Sequence, residues 1–392
     1  MLWLTHIVYG VLGLLLAELA RDVYHIGGHY YPPLMKWHNL HHKAYRPDLT
    51  KTSEELYRKA EFWNDSLEAM FMVGITAIAG LIGDWGLWLG TAYAFSFLVT
   101  SLGRSRGLWH ETDLTHRPGP LTAKPSRWLV NRTYHWRHHF DRTTAYFGGT
   151  FTFIDQLLGT ALALKHKTIA ITGASGALGQ ALICELQKHG AQVIALTTSH
   201  AEFPETVEVC HWELHRESEW QSLLERVDIL ILNHGVNVHQ ARDPEAIHWS
   251  YEVNTWSVWR WFELFLSTVK ESEHYARKEV WINTSEAEVS PAFSPLYELS
   301  KRTIGDLITL RRLDAPCIVR KLILGPFKSK LNPIGVMSPQ FVAWAIVQLA
   351  KRDVRNIIVS IIPFTYITFP ISEFMRSLYY RLFSRRQKNA EK

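Results

Sequence analysis

The sequence is poor in cysteine. It has three, Cys184, Cys210 and Cys317, with no CxxC pair among them. That excludes a disulfide framework and a thiolate-held zinc site, and it suits a reducing compartment. It also lacks charge of one dominant sign. Forty-two Lys and Arg against 37 Asp and Glu leave +5, with no basic stripe of the kind that tracks a phosphate backbone. Nucleic acid is therefore not an expected partner. No internal repeat or low-complexity segment is present. No basic segment precedes the first apolar run and no small-residue cleavage site follows it, which argues against a removed leader.

Histidine, by contrast, is plentiful. There are 20, and ten of them fall in clusters between His25 and His139. Apolar residues concentrate in the first third, although the mean hydropathy of the whole chain is only -0.08. Leu2–Ala20 is long enough as a helix to cross a bilayer core. Leu67–Gly103 reads as a helical hairpin broken at Gly83-Asp84-Trp85-Gly86. Lys36, Lys43, Arg46, Lys51, Arg58 and Lys59 lie between these stretches, and none precedes the first. The positive-inside rule then predicts an integral membrane protein with the clustered histidines on the cytoplasmic face.

From Lys167 the texture changes. β-branched runs at Thr168–Thr172, Gln192–Leu196, Asp228–Leu232, Val280–Asn283 and Cys317–Leu324 alternate with helix-like segments such as Leu178–His189, Leu296–Leu313 and Pro339–Lys351. This is the rhythm of a doubly wound parallel α/β sheet of Rossmann type. The expected organisation is a helical membrane domain over 1–163 and a Rossmann domain over 167–350. An apolar then basic membrane-associated tail is expected over 351–392. Within that tail Ile357–Ile371 reads as a membrane-skimming segment or part of a lipid-facing pocket, and Arg385, Arg386 and Lys388 as a patch for anionic lipid.

The clusters are His25-x3-His29, His38-x2-His41-His42 and His135-x2-His138-His139. Residues three and four apart share a helical face, so each cluster can aim two or three imidazoles at one point. Imidazole suits iron, zinc and copper. Eight such residues exceed the needs of one zinc and suit two metals. With His110, and with Phe153-Ile154-Asp155-Gln156-Leu157-Leu158-Gly159-Thr160 after the last cluster, residues 18–160 resemble the fatty acid hydroxylase/sterol desaturase superfamily. The resemblance implies two irons held by His25, His29, His38, His41, His42, His110, His135, His138 and His139. It also implies O2-dependent hydroxylation or desaturation of an apolar lipid, and an external electron donor of ferredoxin or cytochrome type. His116 is left open, since the spacing from His110 departs from the family's. Glu18, Asp22, Glu111, Asp113 and Asp141 are candidates to orient imidazoles.

Thr172-Gly173-Ala174-Ser175-Gly176-Ala177-Leu178-Gly179 follows a predicted strand and opens a predicted helix. Glycines there allow a tight turn and close approach of the backbone to a pyrophosphate at a helix N-terminus. Asn233-His234-Gly235 ends a later strand. Asn254, Ser285 and Tyr297-x3-Lys301 follow in order. Together these resemble the short-chain dehydrogenase/reductase family over 167–350. Gly173, Ser175, Gly176, Gly179, Thr198, Asn233, Gly235, Tyr297 and Lys301 are then the expected cofactor residues, and Asn254, Ser285, Tyr297 and Lys301 the catalytic ones. Lys301 sits one turn beyond Tyr297 and is expected to lower the phenol pKa. The second strand ends without an acid for the ribose, which leans toward NADP over NAD.

The whole reads as a bifunctional lipid oxidoreductase that couples di-iron oxidation to NAD(P)-dependent alcohol/carbonyl interconversion, with both sites cytoplasmic. The alternatives are a wax-type hydrocarbon-forming enzyme acting on aldehydes, and a non-catalytic membrane-anchored NADP-binding scaffold.

Overall fold

The computed structural model describes residues 2–109 and 114–385. It divides into two compact units, Met1–Leu162 and Ala163–Lys392.

The first unit is helical: α1 (Leu2–Tyr30), α2 (Pro32–Lys43), α3 (Glu54–Ala60), α4 (Ser66–Ile82), α5 (Trp88–Ser105), and the short α6 (Arg132–Trp136) and α7 (Phe153–Leu158). Three segments, Trp3–Tyr30, Glu54–Ile82 and Trp85–Ser105, are long and apolar enough to cross a membrane. α1 runs well past the expected end at Ala20, because nothing stops helical bonding before Pro32. Its 29 residues are about 43 Å long against a hydrocarbon core of about 30 Å, so some two turns project beyond the core. His25 and His29 lie in those turns. The hairpin between α4 and α5 turns where expected, with the Asp84 carboxylate accepting from the Gly86 amide at 2.8 Å. α1 and α5 touch through glycines. A Cβ on Gly90 would lie 2.2 Å from the Gly13 carbonyl oxygen, the close backbone approach that packs helices in lipid.

Two π-helical turns interrupt this unit, Glu61–Asp65 between α3 and α4 and Arg137–Asp141 after α6. Such turns carry one extra residue per turn and re-aim the side chains on them.

The second unit is a seven-stranded sheet with helices between the strands: β1 (Thr168–Thr172), α8 (Ala177–Lys188), β2 (Gln192–Thr197), β3 (Glu208–His211), α9 (Gln221–Glu225), β4 (Ile229–Leu232), α10 (Pro244–Tyr251), α11 (Val258–Ser267), α12 (Ser272–Arg277), β5 (Glu279–Asn283), α13 (Pro295–Arg311), β6 (Ile318–Leu324), α14 (Pro339–Lys351), β7 (Asn356–Val359) and α15 (Thr365–Phe383). The order is β3-β2-β1-β4-β5-β6-β7, with every pair parallel. Chain direction across the sheet reverses between β1 and β4, and in such sheets the crevice at that switch point receives the ligand. A third π turn, Glu252–Ser257, joins α10 to α11.

The sheet runs on past Lys351. The segment expected to skim a membrane as one piece is divided. Ile357 and Val359 point into the core as β7, Pro363 interrupts the chain, and the remainder enters α15. β3, a short half-exposed edge strand, carries no apolar run that would mark it in the sequence.

Candidate metal centre and dinucleotide site

The imidazoles converge on two points. His25, His29, His38, His42 and His138 form one group, and His41, His116, His135 and His139 the other; within each, one nitrogen per ring lies within 4.8 Å of all the rest. Each HxxHH motif is split between the two groups. His38 and His42, four apart, face the first group while His41 faces the second. His135 and His139 face the second while His138 faces the first. Of the two or three rings that a cluster was expected to aim at one point, each HxxHH motif aims two: i and i+4 share a face, and the i+3 residue turns to the neighbouring point. The groups abut, with the ring centroids of His42 and His139 4.5 Å apart. His116, left open in the sequence, belongs to the second group. His110, Glu111 and Asp113 lie outside the described residues.

Gly28 makes room for this packing, since a Cβ there would stand 2.7 Å from His38 Cγ. The π turns aim the outer contacts. His38 Nδ1 meets Asn64 Oδ1 at 3.1 Å, and the Asn64 amide is fixed in that sense because its Nδ2 donates to Asp65. His41 Nδ1 pairs with Asp65 at 3.2 Å. His138 Nδ1 donates to the Ala145 carbonyl at 2.7 Å. Asp65 and Asn64 are thus the polar partners that sequence reasoning missed; only the π turn brings them round. Of the carboxylates expected to do this, Asp22 accepts from the Gly149 amide, Glu18 engages Arg21 and Tyr93, and Asp141 accepts from Tyr146.

The inner nitrogens test whether a metal fits. A ring that donates from Nδ1 to a carbonyl presents a lone pair at Nε2. His138 and His38 are both held so. Yet His29 Nε2 sits 3.0 Å from His138 Nε2 and 2.8 Å from His38 Nε2, and His25 Nε2 is 2.8 Å from His138 Nε2. In the second group His116, His135 and His139 form a triangle of Nε2 atoms 2.9–3.1 Å on a side. One N–H per neutral ring cannot satisfy these encounters. Nitrogens bound ~2.0–2.1 Å from one metal at right angles stand about 2.9 Å apart, which is the spacing seen. Burial first, then the neighbouring rings, holds His38 at about 3 and keeps His42, His138 and His139 below the usual imidazole range. They are neutral and able to ligate. Burial also depresses His41, but the Asp65 carboxylate overrides it and pushes that ring up to about 8.

Asp155 stands behind this arrangement. It is fully buried and accepts from the Phe147 and Gly148 amides, Tyr134 and Thr160 at 2.6–2.9 Å. It clamps the loop whose Ala145 carbonyl orients His138.

In the second unit Gly173 ends β1 at φ +64°, and a Cβ on Gly179 would lie 2.4 Å from the Gly173 oxygen. Gly176 is the residue before α8. These glycines leave an open cradle at a helix N-terminus, which fits a pyrophosphate. Ser175 reaches across to Ser199 at 2.9 Å, while Thr198 is exposed just beyond β2. Asn233 is bonded through its amide to Thr172 and through its side chain to Asn283. His234 Nδ1 also meets Thr172, at 2.8 Å.

Asn254 lies on the third π turn. Its Oδ1 accepts from the Val236 amide at 2.8 Å, and its Nδ2 donates to the Val236 carbonyl and to Ser300, both at 3.0 Å. A Cβ on Gly235 would press on Asn254 Oδ1 at 3.0 Å and approach Lys301 Nζ at 3.7 Å, so glycine keeps this notch open. Ser285 is held at φ +75°, a strained conformation for a residue with a side chain, and hydrogen-bonds Tyr297. Lys301 donates to the Asn283 carbonyl at 2.9 Å, with Nζ 5.8 Å from the Tyr297 ring centre. The expected lowering of the phenol by Lys301 is corrected here. Burial pushes Tyr297 up and only Ser285 pulls it back. Burial likewise brings Lys301 down to about 8.

A family model described as fatty acid hydroxylase matches residues 10–160, and one described as the NAD dependent epimerase/dehydratase family matches residues 169–308. A monoglucosyldiacylglycerol epimerase from Synechocystis sp. is 50% identical over 98% of this chain and 99% of its own length. A solved short chain dehydrogenase from Burkholderia cenocepacia, in complex with NADP, is similar at a TM-score of 0.47 and 18% identity over 57% of this chain and 100% of its own. An alcohol dehydrogenase from the archaeon Thermococcus sibiricus, complexed with 5-hydroxy-NADP, is similar at 0.44 and 22% over 50% and 96%.

Proposed function

This chain belongs to the family of the Synechocystis monoglucosyldiacylglycerol epimerase, with a fatty acid hydroxylase domain at its N-terminal end and an NAD-dependent epimerase/dehydratase domain at its C-terminal end, and on that premise we propose that it inverts a hydroxyl-bearing carbon in the sugar of a glucosylated diacylglycerol. The observation that carries the reading is the grouping of Ser285, Tyr297, Lys301 and Asn254 about the notch at Gly235, beside the glycine cradle.

The substrate hydroxyl sits between Tyr297 and Ser285. Tyr297, as its phenolate, takes the hydroxyl proton as the carbon becomes a carbonyl, and returns the proton to the same oxygen when the carbon is reduced from its other face. A dinucleotide in the glycine cradle would supply a reversible hydride acceptor, so that no external oxidant is consumed. One C–H bond breaks and one forms. Ser285 holds the oxygen throughout, which keeps the alcohol and the ketone in register. Lys301 carries positive charge beside the phenol, and Asn254, locked by Val236, fixes the floor on which Lys301 rests. The expected alcohol/carbonyl interconversion is the first half of this cycle. The cradle takes NADP or NAD, with Gly173, Ser175, Gly176, Gly179, Thr198, Asn233 and Gly235 around it.

The caged nitrogens favour a second activity in the first unit. His25, His29, His38, His42 and His138 would hold one iron, and His41, His116, His135 and His139 another. The pair would supply O2-dependent oxidation of an apolar C–H bond, with electrons from a ferredoxin or cytochrome donor. The chain's own part is to keep the rings buried and aimed, through Asn64, Asp65 and the Ala145 carbonyl. Both sites face the cytoplasm in this reading.

The test uses the full chain in lipid nanodiscs with a monoglucosyldiacylglycerol and NAD or NADP. The expected product is the sugar epimer without accumulation of reduced nucleotide. Stoichiometric reduced nucleotide with a trapped ketone, or an unchanged sugar, would overturn the reading.

A further inference from the structure

α15 has its amphipathicity inverted. Its side facing the protein is polar and charged. Thr365 bonds Glu286; Glu373 accepts from Thr309 at 2.8 Å and pairs with Arg312 and Lys321; Arg376 pairs with Asp306 and Glu288. Phe369, fully buried, is the apolar contact on this side. Anchor points at 365, 369, 373 and 376 follow one helical face. The outward side is apolar. Phe364, Ile367, Ile371, Phe374, Leu378 and Leu382 recur every three or four residues, and Ile367, Phe374 and Leu382 are 61%, 64% and 67% exposed. A helix at a water-facing surface shows the reverse pattern.

We propose that this outward face is a docking surface for the anionic surface of a lipid bilayer, into which α15 lies in plane. Three features select that occupant. The same chain carries helices apolar enough to cross a membrane. The apolar face ends in cations: Arg381 in the last turn and Arg385 beyond it, followed in the sequence by Arg386 and Lys388. Such a run next to an apolar face is attracted by anionic headgroups. The helix does not cross the bilayer, because its anchors tie three turns of one face to α13, β6 and the turn at Glu286–Glu288, and would otherwise stand in hydrocarbon. The location gives the surface a use. Thr365, at the start of α15, bonds Glu286, which follows Ser285 directly. The start of α15 is therefore tied to the residue that follows Ser285, so a bilayer docked on α15 would bring a lipid-borne sugar toward the substrate site. This use rests on the epimerase reading; the docking itself does not.

The full chain, with Cys184→Ser and Cys210→Ser, takes a spin label at Phe374→Cys or Leu378→Cys, and at Glu219→Cys as an exposed control. It is reconstituted in vesicles with about 30% phosphatidylglycerol, or in phosphatidylcholine alone. The expected result is a several-fold rise in the ratio of oxygen to water-soluble nickel accessibility at 374 and 378 with the anionic lipid. A smaller rise is expected in the neutral vesicles, and none at 219. Labels at 374 and 378 that stay as water-accessible as 219 would overturn the proposal. So would label–label dipolar coupling without oxygen access, which marks a second copy of the chain. Equal ratios in the two lipids would overturn its electrostatic part. Phe374→Asp with Leu378→Asp should raise KM for glycolipid in vesicles several-fold and leave turnover of a short-chain, micelle-dispersed glycolipid unchanged. Loss of both turnovers with the accessibility intact would count against the epimerase reading alone.

Discussion

The histidine-lined unit and the sheet unit hold their polar groups in opposite ways. In the first, lone pairs of buried nitrogens face one another across 2.8–3.1 Å, and the protein alone cannot satisfy them. The rings are held from behind by Asn64, Asp65 and a backbone carbonyl, and their inner nitrogens converge on two points that could each hold a cation. In the second, the working groups are already satisfied. Asn254 bonds both groups of Val236, Lys301 bonds Asn283, and Ser285 bonds Tyr297. A metal centre is preorganised by frustration that the metal relieves; a dinucleotide site is preorganised by bonds that persist whether or not the cofactor is present. Both use the same local device, since Asn64 and Asp65, His138 and His139, and Asn254 each sit on a π turn.

The sharpest way to break the comparison is to disable one unit and read the other. Tyr297→Phe should cut nucleotide-dependent epimerisation by about 10²–10⁴-fold while the metal content measured by mass spectrometry stays at the wild-type level. Loss of metal along with turnover would mean that the two sites are not separately organised. Next in size comes the support behind the imidazoles. Asp65→Asn keeps the shape but removes the charge on His41, and metal affinity should fall about 10–100-fold, read by chelator competition, with nucleotide turnover untouched. An affinity equal to wild type would reduce Asp65 to a bystander.

Asp155 sharpens the contrast from the side of stability. Four donors converge on its carboxylate, and Asn offers one acceptor and a competing NH2. Asp155→Asn should cost about 2–3 kcal/mol, seen as an earlier urea transition of the first unit by tryptophan fluorescence, with metal lost in step as the His138 loop loosens. A transition at the wild-type position would remove the clamp from the account.

Much of this was legible in the residues, and for a reason. The parallel sheet announces itself because strands buried on both faces, such as Ile229–Leu232, are continuous apolar runs. The histidines announce themselves because helical spacing is regular. What was hidden depends on irregularity. The π turns carry no residue pattern of their own, so the roles of Asn64 and Asp65 were not readable. His116 was left open because its spacing from His110 departs from the pattern that the resemblance implies. β7 and α15 were merged into one run because Ile357–Ile371 is predominantly apolar, and hydropathy does not distinguish an inward strand residue such as Ile357 from an outward helix residue such as Ile367. The phenol of Tyr297 was expected to fall because spacing puts a lysine near it, but spacing does not report burial, and burial pushes the phenol up.

That last point yields the smallest and most discriminating effect. Burial lowers Lys301 to about 8, so its ammonium is fully present below that pH and drains away above it. At pH 8.5 about a quarter remains. If the ammonium supports proton transfer through Tyr297, turnover in nanodiscs should decline by less than tenfold between pH 7.5 and 8.5, along a limb centred near 8. Lys301→Arg carries a charge that does not titrate in this range. Its rate should be lower, since a guanidinium fits the Asn283 contact poorly, but its profile should be flat through the same interval. A limb that persists in Lys301→Arg would belong to another group, and the tyrosine would then be governed by its burial and by Ser285 alone.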